Sequence, residues 1–145
     1  MRIFLSVAAA GTAVSLIAKA LADAYLVERV SVMGQFLGLQ KSFNPGIAFG
    51  LRLPSGIQEA LIIVALIVVV IFAWKTARTR TSQAGFGLIA GGALGNILDR
   101  ARDGLVTDFF QVGAFPIFNV ADACISVGVA FLLAEAFILN RRIRN

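Results

Sequence analysis

One hundred and forty-five residues are about one domain's worth of chain. Residues of the AVILMFWYC set make up 59%, charged residues 14%, and the mean hydropathy is +0.87, where a soluble domain is roughly 45–50% apolar and roughly 25% charged. This composition belongs in a membrane. The chain has no His, which excludes a Ser–His or Cys–His relay and any His-based zinc site, and its one Cys, Cys124, excludes an intrachain disulfide or thiolate metal cluster. Catalytic chemistry would fall mainly to the eight carboxylates.

A helix needs about 20 mostly apolar residues to cross a bilayer core, and four stretches qualify. The first runs from Ile3 to about Ala22 and is interrupted only by Lys19. A cleaved signal peptide is its rival reading, but the run is long for one, and its removal leaves an odd number of spans. From Val27 to Phe43, β-branched and aromatic residues with Gly34 and Gly38 predict two short strands and a turn, a small sheet on the membrane surface. Pro45-Gly46 fits the centre of a type II turn. The second span covers about Ile57 to Trp74, the third, glycine-rich, about Ala84 to Leu98, and the fourth about Val120 to Leu139. Outer segments over 24–53 and 99–119 join them, and nothing divides residues 1–145 into two domains.

Arg2, Lys75, Arg78, Arg80, Arg141, Arg142 and Arg144 fall on one side of these spans with no acid among them. On the other side, Asp23, Glu28, Asp99, Asp103 and Asp108 balance Arg29, Lys41, Arg52, Arg100 and Arg102. The positive-inside rule then puts both termini in the cytoplasm and both long loops outside. The basic surplus serves topology and lipid headgroups, and it implies no nucleic-acid partner.

Ionisable groups in or beside spans need an explanation. Lys19 can snorkel to the outer headgroups, and Glu59 and Glu135, near helix ends, are expected to be solvated at the interface. Gly87, Gly91 and Gly95 form a small-residue stripe suited to close helix packing. Asn96, Asp99 and Arg100 share a helix face, either as a capping cluster or as substrate contacts. Asn119 suits an N-cap and Asp122 the third helical position, where a carboxylate meets free N–H groups. Asp108, in the apolar sequence Gly104-Leu-Val-Thr-Asp-Phe-Phe, resists ionisation. Both ends of its segment lie at the outer interface, so Asp108 and Asp122 can approach, share a proton and hydrolyse a peptide without metal, His or Ser.

These residues resemble a family. Asn44-Pro45-Gly46-Ile47-Ala48-Phe49-Gly50, the run from Gly91 through Asn96 to Asp99-Arg100, Val106-Thr107-Asp108-Phe109 and Phe118-Asn119-Val120-Ala121-Asp122 are similar to four boxes of bacterial lipoprotein signal peptidase (signal peptidase II), in order and across nearly the whole chain. The resemblance implies four transmembrane helices with a small extracytoplasmic β-cradle and an outer loop over the site. It also implies an inner-membrane aspartic endopeptidase cutting diacylglyceryl-modified prolipoproteins just before the lipidated cysteine. Asp108 and Asp122 are the implied catalytic pair, with Asn44, Gly46, Asn96, Arg100 and Asn119 shaping or supporting the site. No cofactor, metal or obligate protein partner is implied beyond the substrates and membrane lipids. One departure stands out: family members usually carry Asp-Gln-x-Thr/Ser-Lys in the first helix, and Ser15-Leu16-Ile17-Ala18-Lys19 keeps only the Lys.

Two other classes compete. A small transporter or channel subunit would place carboxylates near the bilayer midplane, whereas these cluster at one interface. A lipid-headgroup phosphotransferase is suggested by Asp103-Gly104, but the Ala-Arg element of such enzymes does not follow.

Overall fold

Neither Pro nor a turn signal interrupts the alanine-rich run after Met1, so the first helix, α1, continues from Arg2 to Tyr25. The computed structural model describes residues 1–46 and 56–144. Beyond α1 come strands β1 (Val30–Met33) and β2 (Leu37–Asn44), helices α2 (Ile57–Thr76) and α3 (Arg80–Asp103), strand β3 (Val106–Val112) and helix α4 (Val120–Arg144). The two predicted strands form, with the turn at Gly34 rather than Gly38, which lies within β2. The Pro45-Gly46 turn runs into Ile47, outside the described residues. Asn44 Oδ1 accepts the Gly46 N–H at 2.9 Å.

Three of the four helices, α1, α2 and α4, are long and apolar enough to span a membrane. The third stretch is also a helix, but it does not meet that measure, and its packing supplies the reason. It lies against α1, α2 and α4, which carry most of the helices' exposed apolar side chains, such as Ile17, Ile67 and Leu133. Gly87 and Gly91 pass so close to α1 that an added Cβ would lie 2.8 Å from Phe4 O and 2.5 Å from Ala8 O. Gly92 meets the Ala121 carbonyl of α4 in the same way. The small-residue stripe is therefore a packing surface, and Thr12 ties it by donating to Gly91 O at 3.0 Å.

Helix α3 is longer than the expected 84–98. It begins four residues earlier because the Thr79 hydroxyl accepts the Ser82 N–H and Ser82 Oγ accepts the Thr79 N–H, a reciprocal N-cap. It ends at Gly104, whose φ of +79° closes the last turn through a 2.7 Å bond to Arg100 O. Residues 99–103 are thus helix, and 106–112 are strand, where an outer loop was expected. Strand β3 pairs antiparallel with β2, Ser42 opposite Asp108 and Asn44 opposite Val106, giving the sheet order β1-β2-β3.

Glu59 and Glu135 are not simply solvated. Glu59 Oε2 accepts the Gly56 N–H at 2.6 Å, capping α2, and Glu135 accepts from the Thr79 hydroxyl, joining α4 to the start of α3.

Period-two alternation positions the sheet. Val106, Asp108 and Phe110 share one face of β3, and Thr107 and Phe109 share the other. Phe109 packs with Ala22 of α1 and Leu26 just beyond it in a small core. A second core of Phe4, Ala73, Ala77 and Ala90 sits at the opposite end of the bundle. The sheet is thereby seated on the end of the helices where α1 finishes and α4 begins.

Candidate active site

The start of α4 and the strand β3 bring the two aspartates together. Asp122 Oδ2 accepts the Asn119 N–H at 3.2 Å, and Asn119 Oδ1 accepts the Asp122 N–H at 3.0 Å, so the expected cap exists in reciprocal form. Asn119 also donates from Nδ2 to Asp108 Oδ1 at 2.7 Å and to Asn96 Oδ1 at 3.1 Å. Asn96 Nδ2 donates to Asp122 Oδ1 at 2.9 Å, and Asn44 Nδ2 donates to Asp108 Oδ2 at 3.1 Å. Three asparagines from β2, α3 and the α4 cap thus hold two carboxylates in one hydrogen-bonded chain. Asp122 thus caps the helix and belongs to the same hydrogen-bonded cluster as Asp108.

Asp108 is 3% exposed. Burial pushes its carboxyl up to about 6, and the Asp122 charge adds to the rise. The amide bonds from Asn44 and Asn119 and the Arg100 charge pull the other way. Arg100 reaches Gly46 O with Nη2 at 2.5 Å, so Gly46 and Arg100 join the same cluster. Ile47 to Gly50, the rest of the Asn44 box, lie outside the described residues.

Both aspartates line a cavity of about 710 Å³ with Asn44, Asn96 and Arg100 at its polar end. Its walls are apolar: Ile62 from α2, Phe115, Ile117 and Phe118 before α4, and Ile125 and Val127 within it. The cavity therefore runs between α2 and α4, and Val127, 46% exposed, places apolar surface at its margin. Among the described residues no three His, Cys, Asp or Glu side chains gather as a metal site.

The shared face expected for Asn96, Asp99 and Arg100 divides. Asn96 and Arg100 turn to the cavity, whereas Asp99 forms an ion pair with Lys19 of α1. Lys19, expected to snorkel, is instead nearly buried between Asp99 and Asp23, the latter at 3.8 Å. Asp99 Oδ2 accepts the Thr107 N–H at 2.9 Å. Ser15, at the departure from the family pattern, bonds back to Gly11 O at 2.7 Å. The Lys19–Asp99 pairing escapes sequence reasoning because a lone Lys near a span's end has a ready snorkelling explanation. The retention of Lys19 where the rest of the family's first-helix pattern is lost was the available signal.

The sequence pattern of the signal peptidase (SPase) II family matches residues 7–138. A lipoprotein signal peptidase of Aquifex aeolicus is 35% identical over 153 aligned positions, covering 99% of this chain and 90% of that protein. One from Mesorhizobium japonicum is 41% identical over 115, covering 74% of this chain and 68% of that protein. Two solved structures of bacterial membrane enzymes, at 2.3 and 1.9 Å resolution, superpose with TM-scores of 0.82 and 0.81. Each is 28% identical and covers 92% of this chain, and the chain covers 87% and 91% of theirs.

Proposed function

The chain belongs to the signal peptidase II family of aspartic-type proteases, and from that premise we propose that it removes signal peptides from prolipoproteins with Asp108 and Asp122 as its catalytic pair. The observation that carries this reading is the placement of both carboxylates on Asn119 at the polar end of an apolar cavity. Asp122, with the donors of a helix start and Asn96 upon it, accepts a proton from water as the water oxygen bonds to the scissile carbonyl carbon. Asp108, whose proton burial makes harder to lose, gives that proton to the carbonyl oxygen. As the C–N bond breaks, Asp122 passes its proton to the leaving amine and Asp108 recovers one from the hydroxyl. Asn44, Gly46, Asn96, Arg100 and Asn119 support this geometry.

The substrate is a prolipoprotein whose lipobox cysteine carries a diacylglyceryl group, cut immediately before that cysteine. The cleft between α2 and α4 fits such a molecule because its walls are apolar and its reactive end is polar. Residues 1–145 act as one domain with four spans in the bacterial inner membrane, α3 shielded by the other three. Both termini face the cytoplasm, where the seven basic residues lie, and the sheet and site face outward.

Purified protein in detergent is expected to cleave a diacylglyceryl-modified precursor and to leave the unmodified precursor intact, read by mass spectrometry. Equal cleavage of both precursors would remove the lipid from the specificity, and cleavage of neither would sink the activity. The pH profile provides a second test. Because Asp108 must be protonated and titrates near 6 in the free enzyme, kcat/KM should fall as pH rises through about 6, approaching tenfold per pH unit. A rate constant flat from pH 4 to 9 contradicts a shared proton.

A further inference from the structure

Strand β3 is fastened on both sides of Asp108. On the C-terminal side, the Phe118 carbonyl accepts the N–H groups of Phe109 and Phe110 at 3.0 and 2.7 Å. On the N-terminal side, the Thr107 N–H goes to a side chain, Asp99 Oδ2 of α3. Thr107 and Asp99 are 4% and 5% exposed. The second Asp99 oxygen is paired with Lys19. The cavity around them measures about 10 Å³ and touches Ser15, Lys19, Asp99, Thr107 and Asn119. That is room for about one water, so bulk solvent neither screens the pair nor replaces the carboxylate at Thr107.

We propose that Asp99 is a positioning residue for the reaction, fixing Asp108 through the backbone of Thr107, and that Lys19 holds Asp99 in place. This rests on the reading of Asp108 as half of the catalytic pair. One residue separates the fastened N–H from the reacting side chain, and Asp108 must meet both Asn44 and Asn119 at once. A strand free to swing at Thr107 loses that double engagement without losing the sheet, which β2 still pairs. Substrate binding, spread over the cavity walls, does not depend on the link.

Two double variants separate positioning from mere stability. Lys19→Met with Asp99→Asn removes both charges and keeps an oxygen to accept the Thr107 N–H. Lys19→Met with Asp99→Leu removes the charges and the acceptor. With the diacylglyceryl-modified precursor, and rates normalised to folded protein, the Met/Asn variant should stay within about threefold of the parent kcat. The Met/Leu variant should lose about 10- to 100-fold in kcat with KM changed less than about twofold, as expected for a displaced catalytic group. A folded Met/Leu variant with the parent kcat overturns the proposal. So does a folded Met/Asn variant that has lost more than tenfold, and this arm decides the matter if Met/Leu does not fold. Asp108→Asn is measured beside them: its retention of normal cleavage would instead sink the catalytic pair itself.

Discussion

Asp108→Asn and Asp122→Asn are each expected to lower the cleavage rate by roughly 10³-fold or more, since either removes a proton-transfer partner in the transition state. Their stabilities should move in opposite directions. Burial raises Asp108 to about 6, above its unfolded value near 3.9. The folded state is thus favoured by protonated Asp108 below about pH 4, and that advantage is lost as pH rises to about 6. At pH 7.5 the neutral Asn avoids the buried charge. One of the donors Asn44 and Asn119 then faces an amide nitrogen, which trims the gain to about 1 kcal/mol. Asp122→Asn keeps only one acceptor for the Asn119 N–H and the Asn96 amide, and should cost about 1 kcal/mol. Thermal melts in detergent alongside the cleavage assay will check this. A dead but more stable Asp108 variant and a dead but less stable Asp122 variant are the expected pair of results, and normal processing by either rules that residue out as catalytic.

Gly92→Ala should damage both fold and activity with a single methyl group. A Cβ there meets the Ala121 carbonyl and lies 2.9 Å from Ile125 Cγ1, and a backbone carbonyl in a helix cannot turn aside. Helix α4 must move away at its first turn, at a cost of about 3 kcal/mol. Because Asp122 follows Ala121 directly, that displacement shifts one of the two carboxylates proposed as catalytic. The fraction still folded should cleave about 10- to 100-fold more slowly. An alanine variant with the parent melting temperature and rate would show that the helices separate freely at this contact.

The four boxes, the two strands before Asn44 and the Asn119–Asp122 cap are all legible in the chain, since each is a local pattern with a local cause. Strand β3 was less visible. Its alternation of Val106, Asp108, Phe110 and Val112 against Thr107, Phe109 and Gln111 is strand-like, but a seven-residue run between two membrane segments resembles a connection. The α-left stop at Gly104 marks the end of α3 and the point from which the strand reading should begin. The start of α3 was missed because Arg80 looked like a topology charge, whereas Thr79 and Ser82 form the cap. Lys19 was misread because its partner is 80 residues away in sequence, and only the approach of α1 to the glycine face of α3 brings Asp99 to it. Hydropathy underrates α3 for a related reason: a helix packed among neighbours need not be greasy to lie in the bundle.

Asn119 is at once the residue that starts a helix and the one that holds both carboxylates. The start of α4 and the linkage of the two carboxylates therefore depend on the same side chain. Warming that frays the first turn of α4 is expected to silence cleavage before the rest of the bundle melts. An inhibitor lodged between the two carboxylates would, by the same coupling, clamp the helix start and raise the temperature at which it frays.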